Sequence, residues 1–185
     1  MIRRLPLLAL LAFVGVACGA TQNGPGPSAV PGKSLASITV TSKSFPSDLQ
    51  IPVDLSCDGK DTSPHLTWSS PPEGTKSLAL IVDDPDAPGS TFTHWVVFDL
   101  PPDTLMLEPG VDPATLGAKV GLNDFHNVRY NGPCPPRGEM HRYQFRVFAA
   151  DYVLPLKDGV PRADVDAALS EHVLGFGTLL ATFAH

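Results

Sequence analysis

The chain has 185 residues, with 13 Lys and Arg against 19 Asp and Glu, giving a formal charge of −6. An acidic chain without a Lys/Arg cluster is a poor match for nucleic acid and has no electrostatic pull toward anionic lipid headgroups. Any lipid contact is therefore expected from an anchor or a local pocket.

Arg3 and Arg4 precede an apolar stretch, Leu5 to Val16, broken only by Pro6 and Gly15. Its length suits the hydrophobic region of a signal peptide and falls short of the roughly 20 residues of a membrane span. Ala17-Cys18-Gly19 follows, a small residue before a cysteine. Residues 1–18 are thus expected to be a signal peptide, with Cys18 the lipid-acylated end of a membrane-anchored envelope or periplasmic lipoprotein. Ordinary cleavage near Ala17 or Ala20, with secretion and Cys18 incidental, is the alternative. Loss of Arg3 and Arg4 leaves 11 basic against 19 acidic residues, or −8.

Residues 19–34 are rich in Gly, Pro, Ser and Asn, with Val30 the only sizeable aliphatic. Such a stretch buries too little apolar surface to offset its ordering entropy and reads as a flexible tether. Residues 35–185 are long enough for one domain with its own core.

Within that domain Ser37–Ser42 alternates and is β-branched, the pattern of a strand. Leu66–Trp68 is a short strand candidate. Ser77–Val82 is a continuous apolar run suited to a buried strand, and His94–Phe98 and Tyr143–Phe148 are two more. Residues 109–136 are rich in Gly, Asn and Pro, and a stretch of that length without regular structure points to function. One helix is expected, Ala163 to Leu174, ended by Gly175, and then a closing strand over Gly177–Phe183. Many short strands with 20 prolines, 16 glycines and one late helix predict a mostly-β fold, a β-sandwich with few peripheral helices. Cys57 and Cys134 would form a disulfide in an oxidising compartment, or else remain two partly buried thiols.

Polar groups concentrate where strands end: Asp83-Asp84-Pro85-Asp86-Ala87-Pro88, then His94-Trp95, then Asn131 through Tyr143. Asp84 or Asp86 with His94 and His141 makes an acid–imidazole pocket plausible, because clustered carboxylates need a partner. The prolines fix the path of the loops, and Gly132 and Gly138 allow close backbone approach. Asp-rich turns also arise for structural reasons alone. His65 and His185 read as an exposed loop residue and an unanchored terminal one.

Several segments occur in order: Ser56-Cys-Asp-Gly-Lys-Asp-Thr-Ser-Pro64, Leu66-Thr-Trp68, Asp84-Pro-Asp-Ala-Pro88, His94-Trp95, Gly121-Leu-Asn-Asp-Phe125, Tyr130-Asn-Gly-Pro-Cys-Pro-Pro136 and His141-Arg-Tyr143. Together they resemble the bacterial branch of the phosphatidylethanolamine-binding protein family, also described as Raf-kinase-inhibitor-like proteins. The resemblance implies a β-sandwich with a small anion pocket at one end, for phosphate, a phosphoryl headgroup or a carboxylate. It implies pocket roles for Asp84, His94, His141 and Tyr143, with Asp86, Pro88 and Gly132 at the rim, and a cis bond before Pro88. No cofactor or metal is implied. A secreted interaction protein of the protease- or kinase-inhibitor kind is the alternative function. A third reading is a metal enzyme built on Asp84, His94 and His141, against which stands the lack of a nucleophile elbow or a His-x-x-x-His spacing.

Overall fold

The computed structural model describes residues 34–185, so the signal-peptide, lipid-anchor and tether expectations for residues 1–33 lie outside the described residues. Two sheets of unequal size face each other. The larger has six strands in the order β1-β9-β8-β4-β5-β7, and the smaller has three in the order β2-β3-β6. The large sheet is built from β1 (Ala36–Ser37), β4 (Ser77–Asp84), β5 (Phe92–Leu100), β7 (Lys119–Val120), β8 (Met140–Ala150) and β9 (Val173–Ala184). The small one comprises β2 (Val40–Thr41), β3 (Leu66–Trp68) and β6 (Met106–Leu107).

The expected strand over Ser37–Ser42 is therefore two short strands that serve different sheets. β1 runs parallel to β9, and β2 runs antiparallel to β3. Ile38 lies between them, its N–H donating to the Phe176 carbonyl, and its side chain enters the core as the chain passes from one sheet to the other.

β4 has the continuous apolar run of a strand covered on both faces. Leu78, Leu80 and Val82 enter the main core between the sheets, with Trp68, Leu107, Phe145 and Val147. Ala79 and Ile81 point the other way, into a second cluster closed by Val165 and Leu169 of α1 (Arg162–Leu169). The helix is shorter than its sequence pattern suggests. Val173 and Leu174, assigned to it on sequence, are instead taken by β9, which pairs with β8 over nearly its whole length. Strand pairing over that span outweighs the local helical preference of its first residues. Residues 109–136 hold only a 3-10 turn at Pro113–Leu116 and the two residues of β7.

Two histidines depart from expectation. His65 is buried, because its backbone N–H donates to Ser44 Oγ and its Nδ1 accepts from the Lys43 N–H at 3.3 Å. His185 is anchored by Asp58, with Nδ1 and Oδ2 2.6 Å apart. Cys57 and Cys134 form a disulfide with their Cα atoms 5.5 Å apart. No peptide bond among the described residues is cis, so the bond before Pro88 is trans.

Candidate functional site

The site forms where β4, β5 and β8 end on the side of the main core. Even-numbered residues of β4 face that core, so Asp84 continues the row of Leu78, Leu80 and Val82. On β8 the core row is Tyr143, Phe145, Val147 and Ala149, and His141 extends it to the same end of the sheet.

His94 arrives by a different device. Val82 pairs with Trp95 and Asp83 with Thr93, so His94 is an extra residue on β5, a β-bulge. Bulges bend a strand and re-aim a side chain. Here the bulge lets His94 and Trp95 serve the same side of the sheet: Trp95 fills the core and His94 lines the cavity next to Asp84.

Backbone carbonyls fix the imidazole of His94. Nδ1 lies 2.9 Å from the Asn131 carbonyl and 3.0 Å from that of Gly132. Two acceptors require a donor, so Nδ1 carries the hydrogen and Nε2 presents a lone pair. Burial pushes the His94 pKa down, against the upward pull of those carbonyls and of Asp84, which keeps the ring neutral at pH 7. The carbonyls are themselves positioned. Asp61 accepts from the Gly132 N–H at 2.5 Å and from Asn131 Nδ2 at 3.0 Å, and Asn123 Nδ2 donates to Asn131 Oδ1 at 2.9 Å. Gly132 is required for packing: an added Cβ would meet the Leu55 carbonyl oxygen at 2.1 Å. Its place is behind His94, and it does not line the cavity.

His141 has the opposite surroundings. Its Nδ1 lies 2.7 Å from Asp84 Oδ2, and its Nε2 lies 3.2 Å from Glu139 Oε2. Asp84 and His141 are each about 4 % exposed as side chains, whereas Glu139 is 56 % exposed. Burial lowers the His141 pKa, but the hydrogen bonds to Asp84 and Glu139 outweigh it and the net shift is upward. A ring with a carboxylate at each nitrogen is held as the imidazolium, donating at both. Asp84 spends its other oxygen on the Asp86 N–H at 2.9 Å, which shapes the turn after β4.

Asp86 turns away from the cavity. It accepts from the Arg142 N–H at 2.9 Å, from Nε at 2.8 Å and from Nη2 at 2.6 Å. That guanidinium pulls its pKa down to about 2 and ties the Pro85–Pro88 loop to β8. Tyr143 lies behind the wall, edge-on to His94 with ring centroids 5.3 Å apart. Its ring is fully buried, and burial, then the Asp84 carboxylate, push the hydroxyl pKa upward, so it stays a neutral phenol.

The cavity measures about 310 Å³ and is lined by Asp84, Pro88, His94 and His141 of the sequence-derived set, together with Phe92, Phe125, Cys134, Pro135 and Pro136. Phe92 and Phe125 stand edge-on to His94 at 5.4 and 5.3 Å. Phe92 pairs with Asp84 across β4 and β5, a proximity that needs the strand register to be seen. Phe125 follows the loop residues Asn123 and Asp124, while its neighbour His126 is exposed and does not line the cavity.

The family model for phosphatidylethanolamine-binding protein matches residues 41–184. The chain belongs to that family. A UPF0098 protein of Aquifex aeolicus is 48 % identical over 153 residues, 80 % of this chain and 89 % of the relative. LppC of Mycobacterium tuberculosis, named as a candidate lipoprotein, is 36 % identical over 160 residues, 86 % of this chain and 75 % of its own. The crystal structure of Escherichia coli YbcL, described as a new member of the mammalian family, superposes with a TM-score of 0.75 at 34 % identity. It covers 81 % of this chain and 99 % of YbcL. The sandwich with a late helix is thus the fold of this family, and it brings Asp84, His94 and His141 to one pocket.

Proposed function

We propose that this member of the family is an exported, non-enzymatic binding protein whose pocket takes a small oxyanion that still carries a proton. A monoanionic phosphate or phosphoryl headgroup, or a carboxylic acid, has that chemistry. The observation that carries the reading is that His141 has a carboxylate at each ring nitrogen, which favours its charged form, while His94 has backbone carbonyls at Nδ1, so that its Nε2 can only accept. Asp84 and Glu139 against His141 leave these groups at −1, and Asp86 is neutralised by Arg142. Pro88, Pro135 and Pro136 contribute no N–H to the wall. A fully ionised dianion therefore meets repulsion and few donors. A protonated oxyacid donates its hydroxyl to His94 Nε2 and, by displacing the exposed Glu139 carboxylate, accepts the His141 Nε2–H on another oxygen.

The apolar walls of Phe92, Phe125 and the prolines suit a short organic ester better than a bare ion. The metal-enzyme reading is disfavoured by the geometry of its own ligands. His141 Nδ1 already holds Asp84, so two of the three groups satisfy each other. Export and acylation at Cys18 are supported by the sequence pattern before Gly19 and by the name of the LppC relative. Cys18→Ser should then release the protein from membranes, and a variant that still fractionates with them would remove the anchor from this reading.

Calorimetric titration with inorganic phosphate and with sulfate at pH 6 tests the pocket. Phosphate can carry a proton there and sulfate cannot. Preference for phosphate of about tenfold or more is expected, one hydrogen bond to a charged group being worth roughly 1.5–3 kcal/mol. Its affinity should fall as the pH rises through the raised His141 pKa. Equal affinity for the two ions, or a flat profile from pH 5 to 8, would overturn the proposal.

A further inference from the structure

At the mouth of the pocket a second group of side chains has a chemistry that anion binding does not use. Both cysteines of the Cys57–Cys134 disulfide are exposed, and Cys134 also lines the cavity. The last residue, His185, approaches the bond with Nε2 4.0 Å from Cys57 Sγ. Its other nitrogen, Nδ1, lies 2.6 Å from Asp58 Oδ2, which fixes that nitrogen as the donor and aims Nε2 at the sulfur. The His185 side chain is only 10 % exposed and stands edge-on to Phe183, so the arrangement is a packed one. A carboxylate that orients an imidazole toward a sulfur is the arrangement that activates a cysteine. Exposed disulfides are the labile ones, and exchange is faster when the departing thiolate is stabilised.

We propose that Cys57–Cys134 is a thiol–disulfide exchange site that reacts with an external dithiol, with Cys57 as the leaving sulfur. One thiolate of the dithiol attacks Cys134 Sγ. A bond forms between these two sulfurs, the bond between Cys134 and Cys57 breaks, and the electron pair leaves on Cys57 as a thiolate. The protonated form of His185, oriented by Asp58, donates Nε2–H to that thiolate. The second thiol of the reagent, deprotonated, then attacks the mixed disulfide, closes into its own cyclic disulfide and expels Cys134 as a thiolate. The reagent loses two electrons and the protein disulfide gains them.

The test compares oxidised wild-type protein with His185→Gln and Asp58→Asn, using dithiothreitol as the probe and trapping free thiols by alkylation for mass analysis. Reduction of His185→Gln is expected to be about tenfold slower than wild type, with Asp58→Asn between them. Identical rates in all three proteins would overturn the proposal. In Cys134→Ser, alkylation of Cys57 against pH gives a second readout that does not depend on reduction. The Cys57 thiolate should form well below the ordinary thiol range of about 8.5, and the further change His185→Gln should return it there. A Cys57 that titrates as an ordinary thiol with His185 present would also refute the exchange role.

Discussion

Asp83 and Asp84 are neighbours at the end of one strand, yet they serve two regions with opposite logic. Asp83 faces the helix side. It is 1 % exposed and receives Arg146 Nη2 on one oxygen and Arg162 Nη1, at 2.7 Å, on the other. Arg162 is further held by Asp166 at 2.8 Å and Thr93 Oγ1 at 3.1 Å. The open hollow of about 500 Å³ above them has arginines in its wall, but these are already engaged by carboxylates. Asp84, on the opposite face, is met by His141 and the Asp86 N–H, with no permanent cation beside it, and it borders an open cavity. Permanent cations close the Asp83 region at every accessible pH. A titratable cation beside a neutral histidine leaves the Asp84 region able to change its charge, as the proposed function requires. The difference lies in the kind of cation: guanidinium groups hold Asp83, and a titratable imidazole holds Asp84.

If that contrast holds, the largest loss of stability should come from the closed side. Asp83→Ala leaves two guanidinium groups converging without their anion, and should cost about 3 kcal/mol, because removing one member of a buried ion pair strands the other. Urea unfolding of the oxidised protein measures this as a lower midpoint. Phosphate binding by the remaining folded protein should be unchanged. A variant of wild-type stability would show that Asp83 is as dispensable as a surface ion pair.

The open side should appear in the pH dependence instead. The raised His141 pKa means its contribution to stability is fully present below the unfolded value of about 6.5 and is lost as pH rises through the folded one. The lowered His94 pKa works in reverse: its contribution is present above about 6.5 and lost as pH falls toward the folded value. The two slopes meet near pH 6.5. Groups facing these rings, Asp84, Glu139 and Asp86 among them, modulate the size of each limb. Unfolding measured from pH 5 to 8 should lose its alkaline decline in His141→Gln and its acid decline in His94→Asn. Parallel profiles for wild type and either variant would contradict the assigned protonation states.

Much of this was legible in the sequence, for identifiable reasons. β4 and β8 announce themselves by an unbroken apolar run and by clear alternation, and the late helix by its spacing. Asp84, His94 and His141 are marked by their motifs and by lying where strands end. What stayed hidden depends on contacts between distant segments. The bulge at His94 exists only in the pairing of β4 with β5. Asp86 and Tyr143 lie in the right segments, but an arginine claims the first and burial the second. Val173 and Leu174, the last two residues of the expected helix, were lost to β9 because β8 lies beside it along nearly the whole strand. His65 and His185 looked loose because Ser44 and Asp58, their partners, are 21 and 127 positions away. Glu139 gave no signal beyond being acidic, and its meaning comes from the imidazole it faces.

The smallest effect belongs to Asp86, which lies beside the pocket but shares the closed logic of Asp83. Its pKa drops from an ordinary 3.8 to about 2 because Arg142 bonds it through side chain and backbone together. For a depressed carboxyl the contribution is present above the unfolded value and is lost as pH falls through the folded one, so the window runs from about 3.8 down to about 2. Arg142 is 66 % exposed, and an ion pair so open to solvent and salt stabilises far less than the buried pair at Asp83. Asp86→Asn should thus leave stability at pH 7 nearly unchanged and flatten the acid decline within that window. Its consequence for ligand should be larger than for stability, since the Pro85–Pro88 turn is held to β8 by this pair and Pro88 lines the cavity. Weaker phosphate binding at unchanged unfolding midpoint would separate a loop anchor from a structural ion pair. A fall in stability without a change in binding would show that the Asp86–Arg142 pair serves the fold alone, as the Asp83 cluster does.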